Sequence, residues 1–502
     1  MILIHPPVAK PSEPPAGLAK LAGALKHHRL MARFVDANLE ALEHRLKGSM
    51  GRIDRWTNRA AKHLSANLAS LCDGQAFRQI DHYKRSVLDI NRVVQAALPQ
   101  VDGTLSLVNY TDSRLSPVRS QDLIRAAEQP EGNPYYDYFR TRLDDLMEEQ
   151  PSRVGISLNY LSQALCAFAL AGYLRKKAPG LKIIMGGGLV SSWMAALKGR
   201  NPFAGLIDEL IPGPGEGPLL LRQGIEDRLN HYRPDYTAFR DNRYLSPGFI
   251  LPYSASSGCY WNQCSFCPEC AEKNRYRPVS SQQVLMDLEV LIEETRPVLV
   301  HLLDNALSPV LLKHLCQNPL SAPWYGFARM SKELTDPDYG RALKRAGCVM
   351  LKLGLESGDQ TVLDRLNKGI DLETASGALD NLKAAGIETY VYVLFGTPAE
   401  DLRRARRTLD FLVRHSRSID FLNLAIFNLP IHSPDARDLE TDSFYEGDLS
   451  LYRQFRHPLG WDRPLVRQFL DQEVKRHPAV AAILRRDPPL FTSNHAPFLA
   501  GC

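Results

Sequence analysis

The chain lacks the long apolar runs of a membrane protein. No apolar run among its 502 residues approaches the roughly 18 that a bilayer-spanning helix needs. The start, MILIHPPVAK, has no basic segment ahead of an apolar one and soon reaches two prolines, so it indicates a first strand rather than a signal peptide. We therefore expect no membrane span and a cytoplasmic location.

The net charge and the cysteine content are also low. The net charge is only +5, and the basic residues are dispersed rather than grouped, which argues against a nucleic-acid partner. Nine cysteines in 502 residues are too few for a disulfide-stabilised secreted domain. In a reducing compartment, cysteines that do cluster favour metal binding over disulfide formation. The sequence shows no internal repeat and no low-complexity tract.

The N-terminal half alternates short apolar strands with helical segments. Strands are predicted at 2–4, 33–36, 154–158 and 182–188, with helices between them, and such alternation is typical of a parallel sheet. We therefore predict a Rossmann-like domain over 1–228. Residues 42–150 interrupt it, and because a structureless loop of that length is improbable in a compact domain, we expect a mostly helical insertion there.

A second series follows a predicted linker at 229–250. Six strand and helix pairs over 251–428 fit a partial TIM barrel, in which reactive groups lie at the carboxyl ends of the strands. Residues 429–502 are predicted to form a C-terminal tail subdomain. The predicted fold class is therefore α/β, with a Rossmann-like domain of the cobalamin-binding type followed by a (β/α)6 partial TIM barrel.

The string SSGCYWNQCSFCPEC follows the first barrel strand and holds three closely spaced thiols, Cys259, Cys264 and Cys267. Soft thiolates in such a group suit an iron–sulfur cluster, and three of them leave one iron open for chemistry. A structural zinc site is the alternative, with Cys270 as the fourth ligand of a tetrahedron.

This segment resembles the radical S-adenosylmethionine (SAM) superfamily, whose cysteine triplet holds a [4Fe–4S] cluster after the first barrel strand. The resemblance implies that Cys259, Cys264 and Cys267 are the cluster ligands, that SAM chelates the fourth iron, and that Phe266 is the aromatic residue common in this loop. One departure is visible: the four residues YWNQ separate the first two cysteines, where the common spacing is three.

Later segments match places where this family contacts SAM. The resemblance implies contacts at the ends of the second to fifth barrel strands, in the strings LLDNALSP, WYGFAR, GLESGDQ and VLFGTP. Taken singly, each of these residues is better explained by a strand-end turn, a surface salt bridge or a helix cap. The residues are Asp304, Asn305, Arg329, Glu356, Ser357, Gly396 and Thr397.

The N-terminal domain resembles the cobalamin-binding domain that precedes the barrel in a large class of these proteins. Where cobalamin-dependent mutases carry a cobalt-ligating histidine, this chain has Asn38, and an amide is a poor substitute for imidazole. The glycines at 186–188 would let a cofactor approach the backbone closely, and the alternative is a tight strand-to-helix turn. Glu216 could contact the cofactor, and the alternative is that it caps the helix that follows. The residues implied in cobalamin contact are Asn38, Leu158, Asn159, Ser162, Gly186, Gly187, Gly188 and Glu216.

The sequence thus predicts a radical SAM enzyme with a [4Fe–4S] cluster, SAM and cobalamin as cofactors, which methylates or rearranges an unactivated carbon of a small-molecule substrate. A flavodoxin or ferredoxin-like protein is the expected electron donor. Two alternatives remain: a radical SAM enzyme whose Rossmann domain is a cobalamin-free scaffold, and a non-enzymatic zinc or iron–sulfur protein. Some tail residues are also candidates for lining a substrate pocket, although packing is their usual role. They are Tyr445, Asp448, Tyr452, Trp461 and His495.

Overall fold

A computed structural model describes residues 1–48, 54–97, 103–226, 229, 231–443 and 447–500. Within these residues the chain forms two compact units. Unit 1 comprises 1–249 with the short segments 447–451 and 489–491, and unit 2 comprises 250–443, 452–488 and 492–500. Tyr445 lies outside the described residues.

Unit 1 is built on a five-stranded sheet in which every neighbouring pair is parallel. Its spatial order is β2-β1-β3-β4-β5, so the chain starts in the middle and adds strands to both sides. The central strands are apolar on both faces, as expected when helices cover both sides of a parallel sheet. The strands are β1 Ile2–His5, β2 Arg33–Asp36, β3 Arg153–Ser157, β4 Lys182–Gly186 and β5 Glu209–Ile211.

The helices of unit 1 connect these strands and also fill the interval between β2 and β3. That interval holds six helices and one short antiparallel pair, Gly103–Leu105 with Tyr110–Asp112, among its described residues. The described part of this interval is thus mostly helical. The helices are α1 Ala16–His27, α2 Ala37–Lys47, α3 Arg55–Lys62, α4 Leu64–Cys72, α5 Ile80–Ala96, α6 Ser120–Glu128, α7 Tyr136–Glu148, α8 Leu161–Lys177, α9 Gly188–Leu197 and α10 Glu216–Leu221.

Unit 2 contains a six-stranded sheet that is parallel throughout, with its strands in simple sequence order. This is the predicted (β/α)6 partial TIM barrel, so the expected fold class is confirmed. The strands are β6 Ile250–Tyr253, β7 Leu299–Leu302, β8 Trp324–Ala328, β9 Cys348–Glu356, β10 Glu388–Phe395 and β11 Phe421–Ile426.

Capping residues determine where several barrel helices begin. The side chains of Ser280 and Ser308 accept hydrogen bonds from Gln283 N and Leu311 N, which satisfies free amides of the first turn. Asp371 caps the helix Leu372–Ala384 in the same way, and Asp401 caps the helix Leu402–Arg414. The helices of unit 2 are α11 Pro268–Ala271, α12 Ser281–Thr295, α13 Pro309–Gln317, α14 Pro337–Arg345, α15 Gln360–Arg365, α16 Leu372–Ala384, α17 Leu402–Arg414, α18 Asp435–Asp438, α19 Arg463–Phe469 and α20 Pro478–Leu484.

The last described segment of unit 2 closes the amino-terminal end of the barrel. Ala496 packs with inward-facing side chains of the strands, and the ring of His495 lies 4.2 Å from that of Tyr390. His495 is therefore a packing residue beneath the barrel. No helix in the described part of the chain is long and apolar enough to cross a bilayer.

Candidate active site

The three cysteines lie in the loop that follows β6, at the carboxyl end of the first barrel strand. All three are free, with Cys264 buried and the other two half-buried. A two-residue antiparallel pair, Ser256–Ser257 with Arg277–Pro278, closes the base of the loop. Gly258, directly before Cys259, has a φ of +73°, and a Cβ there would lie 2.6 Å from Arg275 O. Only glycine fits at this turn.

The extra residue between the first two cysteines is accommodated by docking of Trp261. Its indole N–H donates to Asn367 O at 3.0 Å, and its ring lies so close to Gly369 that a Cβ there would overlap it. The guanidinium of Arg329 stacks 4.1 Å from the centre of the same ring and donates to Lys368 O and Gly369 O. The four-residue spacing is therefore stabilised by contacts with the segment after α15.

The charges around the thiols favour a ligand that binds thiolates. Burial raises the pKa of Cys264, and the nearby cations Lys368 and Arg329 oppose this rise. Burial also raises the pKa of Cys267, to about 11. Metal ligation requires the deprotonated form, so a cationic cluster core beside these two basic residues would offset the cost of forming buried thiolates.

Cys270, the fourth ligand in the zinc alternative, is engaged elsewhere in the loop. Cys270 directs its thiol to Asn262 O at 3.6 Å, and no three His, Cys, Asp or Glu side chains within the described ranges are close enough to hold a single metal ion. Each cysteine of a cubane binds a different iron, so the three thiols of such a site need not converge on one point. Three soft thiols on one loop are a donor set that an iron–sulfur cluster takes.

Two of the residues expected to contact SAM hold the loop in place. The buried carboxylate of Asp304 accepts hydrogen bonds from Ala255 N at 3.0 Å and from the Ser256 hydroxyl. The Asn305 amide donates to Gly258 O at 3.2 Å. Both residues stand at the end of β7, so they connect the second barrel strand to the cysteine loop.

Glu356 and Lys368 form the most buried ion pair of the site. The Lys368 ammonium donates to Glu356 Oε1 at 2.8 Å, and the two side chains are 8% and 12% exposed. Glu356 has a φ of +66°, which is strained for a residue with a side chain. Phe266 packs on Val362, Leu366 and Ala399, with the Lys368 ammonium 5.6 Å from its ring.

The remaining residues expected at SAM lie in two buried turns. Ser357 directly follows β9, and Gly396 and Thr397 directly follow β10. The Ser357 hydroxyl lies 3.1 Å from Thr408 Oγ1 and accepts from Asp359 N, so it is used in packing the turn. Gly396 has a φ of +80°, and its N–H donates to Glu400 Oε2 at 2.6 Å. Thr397 is fully buried, and its hydroxyl has no hydrogen-bond partner in the described part of the chain.

Sequence reasoning missed Glu400, which is fully buried beside that turn. Its Oε2 accepts from Gly396 N and from the Trp461 indole at 3.0 Å, and burial raises its pKa to about 8. His457 completes the cluster by contacting Thr397 O at 2.8 Å. In the string GTPAE, Glu400 follows Gly396 by four residues. Its second partner, Trp461, lies 61 residues further along the chain, so the sequence gives no local sign of the pair. The indole of Trp461 is thus held in this buried cluster.

Unit 1 contains a cavity of about 210 Å³ that lies against one face of its sheet. Four of the residues expected at cobalamin line it: Asn159, Gly186, Gly187 and Glu216. Gly187 has a φ of +114°, and a side chain there would overlap Leu158 O. Glycines also line the cavity at 17, 155, 213 and 215. Because these residues have no side chain, a flat group can approach the backbone closely. Gly155 lies on a strand that the sequence predicts, and it was the sequence feature that could have indicated this cavity.

The other residues expected at cobalamin lie outside the lining of this cavity. Asn38 is buried and its amide is bound to the backbone of Ala9, since Oδ1 accepts from Ala9 N at 2.8 Å and Nδ2 donates to Ala9 O at 3.1 Å. The Ser162 hydroxyl donates to Val8 O at 2.8 Å, while Leu158 is buried and Gly188 N donates to Asn159 Oδ1. Asn38 and Ser162 therefore shape the loop that follows β1.

Comparison with known proteins agrees with these observations. Residues 253–412 match the family model described as the Radical SAM superfamily. An uncharacterized methyltransferase of Pyrococcus horikoshii is 24% identical over 189 residues, covering 36% of this chain and 40% of that protein. An anaerobic magnesium-protoporphyrin IX monomethyl ester cyclase of Rubrivivax gelatinosus is 25% identical over 212 residues, covering 40% of this chain and 36% of that protein. The matched regions thus span less than half of each relative.

A solved structure shows the same fold over nearly the whole chain. It is that of the radical SAM methyltransferase TsrM from Kitasatospora setae, with tryptophan substrate and a SAM analogue bound. The TM-score is 0.54 at 14% sequence identity, covering 97% of this chain and 89% of that one. The range that matches the Radical SAM superfamily, 253–412, therefore contains the cysteine loop and most of the six-stranded parallel barrel.

Proposed function

We propose that this protein is a radical SAM enzyme that uses a [4Fe–4S] cluster and cobalamin to methylate or rearrange an unactivated carbon of a small molecule. The cysteine loop carries the proposal. Its three free thiols stand at the carboxyl end of the first barrel strand, where barrel enzymes place their reactive groups, and two cations lie beside them.

Cys259, Cys264 and Cys267 would hold the cluster. A cluster reduced by one electron would provide the electron for cleavage of SAM to methionine and a 5′-deoxyadenosyl radical. Arg329 is fixed over Trp261 and offers a cation for the SAM carboxylate. Glu356 offers a carboxylate for the SAM ammonium group or ribose, and its pairing with Lys368 holds it in one orientation. A flavodoxin or ferredoxin-like protein is the proposed electron donor.

The cavity of unit 1 is the proposed cobalamin site. Gly155, Gly186 and Gly187 line it and would let the nucleotide end of the cofactor approach the backbone. Asn38 would not ligate cobalt, because its amide is bound to Ala9. Cobalamin would supply a methyl group for transfer, and the printed description of the Pyrococcus horikoshii relative as a methyltransferase supports that outcome.

The first test compares two cysteine variants after anaerobic reconstitution with iron and sulfide. The parent should retain iron and, with SAM and a reductant, form 5′-deoxyadenosine measurable by chromatography. Cys264→Ala should lose both, whereas Cys316→Ala, a free cysteine on α13 outside the loop, should keep both. Equal 5′-deoxyadenosine formation by Cys264→Ala would contradict the cluster assignment. A SAM-dependent change in the EPR signal separates an open iron from a closed zinc or iron–sulfur site.

The second test addresses cobalamin. Protein mixed with hydroxocobalamin should retain the cofactor through gel filtration, seen in the visible spectrum. Gly17→Leu places a side chain in the cavity, because the Cβ direction of Gly17 points at Ser157 Oγ 3.5 Å away, and should abolish retention. Gly217→Leu, at a helical position with open space around it, is the matched control. A parent that retains no cobalamin would support the scaffold alternative.

A further inference from the structure

Helix α17 and the turn after it concentrate the positive charge of the chain. The segment 402–417 contains six arginines and a single acid, Asp410. It therefore carries a net charge of +5, equal to that of the whole chain, so the other residues are neutral on balance. Like charges on neighbouring turns of a helix repel each other, so folding alone does not favour this density. The arginines are Arg403, Arg404, Arg406, Arg407, Arg414 and Arg417.

Three of these residues form a single row along the helix, which we call the arginine stripe. Arg403, Arg407 and Arg414 are separated by four and seven residues, a spacing that places them in line on one face. All three are exposed, whereas the buried residues of α17 lie on its other faces. The buried residues are Ala405, Thr408, Leu409, Phe411 and Leu412.

Acids of the same chain neutralise the arginine stripe only in part. The Arg407 guanidinium donates to the buried carboxylate of Asp359 at 2.6 Å, while its side chain stays 52% exposed. Arg403 and Arg414 form no ion pair with any acid in the described part of the chain. Two exposed guanidinium groups on one face of α17 are therefore available to carboxylates of a second molecule.

A groove of about 390 Å³ runs beside the arginine stripe, between α16 and α17. Arg407 and Arg414 line it, so two members of the stripe stand at an indentation rather than on a flat surface. Side chains of a partner could enter between the two helices there. The other lining residues are Gly358, Leu372, Glu373, Ser376, Asp410 and Phe411.

The amino-terminal end of α17 contacts the elements that enclose the cysteine loop. The Arg404 guanidinium donates to Ala399 O at 3.2 Å, and Ala399 packs with Phe266 of that loop. Asp359, the partner of Arg407, caps α15, which also supplies a residue that packs with Phe266. A protein seated on the arginine stripe would therefore stand beside the elements that hold the proposed cluster loop.

We propose that the arginine stripe is the docking surface for the electron donor, a small electron-transfer protein with an acidic face. The role of this partner as electron donor rests on the proposed function. Charge complementarity favours an acidic protein, because a guanidinium group binds carboxylates through paired hydrogen bonds. Electron-transfer complexes bury little surface and depend on electrostatic steering, which a charged stripe provides. One electron passes from the reduced donor to this protein, and no covalent bond forms or breaks.

The test measures binding of fluorescently labelled donors to the cluster-reconstituted protein by fluorescence anisotropy. The donors are a bacterial flavodoxin and a bacterial ferredoxin, both acidic. At least one should bind the parent, and its affinity should fall as salt is added, because salt screens the attraction between exposed charges. A labelled single-stranded RNA is the probe for the other class of anionic partner.

Two double variants locate the binding. Arg403→Glu with Arg414→Glu reverses the two unpaired charges and leaves every ion pair of α17 intact, and should weaken donor binding by about tenfold or more. Lys313→Glu with Arg345→Glu makes the same change in net charge at exposed positions of α13 and α14, and should change binding by less than about twofold. Near-UV circular dichroism and iron content report folding.

A second measurement separates docking from catalysis. With the reduced donor as the electron source, the stripe variant should form 5′-deoxyadenosine more slowly than the parent. With dithionite, a small reductant that needs no docking surface, the two proteins should form it at equal rates. An equal slowing with both reductants would overturn the proposal, because it would place the effect inside the enzyme rather than on its surface.

The outcomes separate this proposal from the proposed function. Failure of the parent to bind either donor, equal donor binding by the parent and the stripe variant, or tighter binding of the RNA than of both donors would each overturn the docking surface, whether or not 5′-deoxyadenosine is formed. Donor binding that the stripe variant loses, in a protein that forms no 5′-deoxyadenosine with either reductant, would support the surface and reject only the radical SAM reaction.

Discussion

Glu400 gives the barrel a pH-dependent stability that glutamine at the same position should remove. The side chain is fully buried, and burial is the main cause of its raised pKa, with smaller contributions from Asp401 and Asp359. The N–H groups of Gly396 and Trp461 oppose the rise without cancelling it. The acid is therefore protonated in the folded protein at pH values where it is ionised in the unfolded chain.

The size of the effect follows from the shift. Below pH 4.5 both states of Glu400 are protonated and the group adds no pH dependence. Between pH 4.5 and about 8 only the unfolded chain loses the proton, so the free energy of unfolding falls by about 1.4 kcal/mol per pH unit. The loss approaches about 5 kcal/mol and levels off above the folded pKa.

Glu400→Gln retains an acceptor oxygen for Gly396 N and the Trp461 indole but has no proton to lose. Urea unfolding followed by tryptophan fluorescence should show similar stability of parent and variant near pH 5, and a variant more stable by several kcal/mol near about pH 8. Glu289→Gln, on the exposed face of α12, is the matched control and should follow the parent. Parallel curves for the parent and Glu400→Gln would refute the assignment of a protonated acid.

Four further substitutions test the loop and its supports. Gly369→Ala puts a methyl group into the Trp261 ring and should lower iron retention after reconstitution, with the Trp261→Phe variant showing how much depends on the indole N–H. Gly258→Ala should destabilise the protein by about 1–3 kcal/mol in thermal unfolding, because of its positive φ and the close Arg275 carbonyl. Asp359→Ala removes the cap of α15 and a buried carboxylate paired to Arg407, and should cost about 1–3 kcal/mol by the same measurement.

The elements of the fold could be predicted because their signals are local. α12 and α13 begin directly after Ser280 and Ser308, where a capping residue precedes an apolar repeat. The strands of both sheets are short apolar runs between helices, which is sufficient to predict parallel sheets. Periodicity and caps act over a few residues, so the printed sequence carries them directly.

The site was less predictable because its contacts join distant segments. Lys352 meets His301 across 51 residues, and Glu400 meets Trp461 across 61. Neither pair has a spacing that marks it in the sequence, since closure of the barrel sets the distance between the strands. The assignment of Asp304 illustrates the same limit: its place at a strand end was predicted, but the loop that it holds lies 48 residues earlier.

The unusual cysteine spacing shows how tertiary contacts determine the shape of a ligand loop. Three to four residues between two thiols do not define a cluster site by themselves, because the intervening backbone can bulge outward. Here the bulge is held by Trp261, which lies in a position that only glycine at 369 permits, and Arg329 covers the opposite face of the ring. These supports come from β8 and from the segment after α15. The loop can therefore reach its shape only once the third and fourth strands of the barrel have assembled, so the positions of the thiols depend on the whole fold rather than on their spacing.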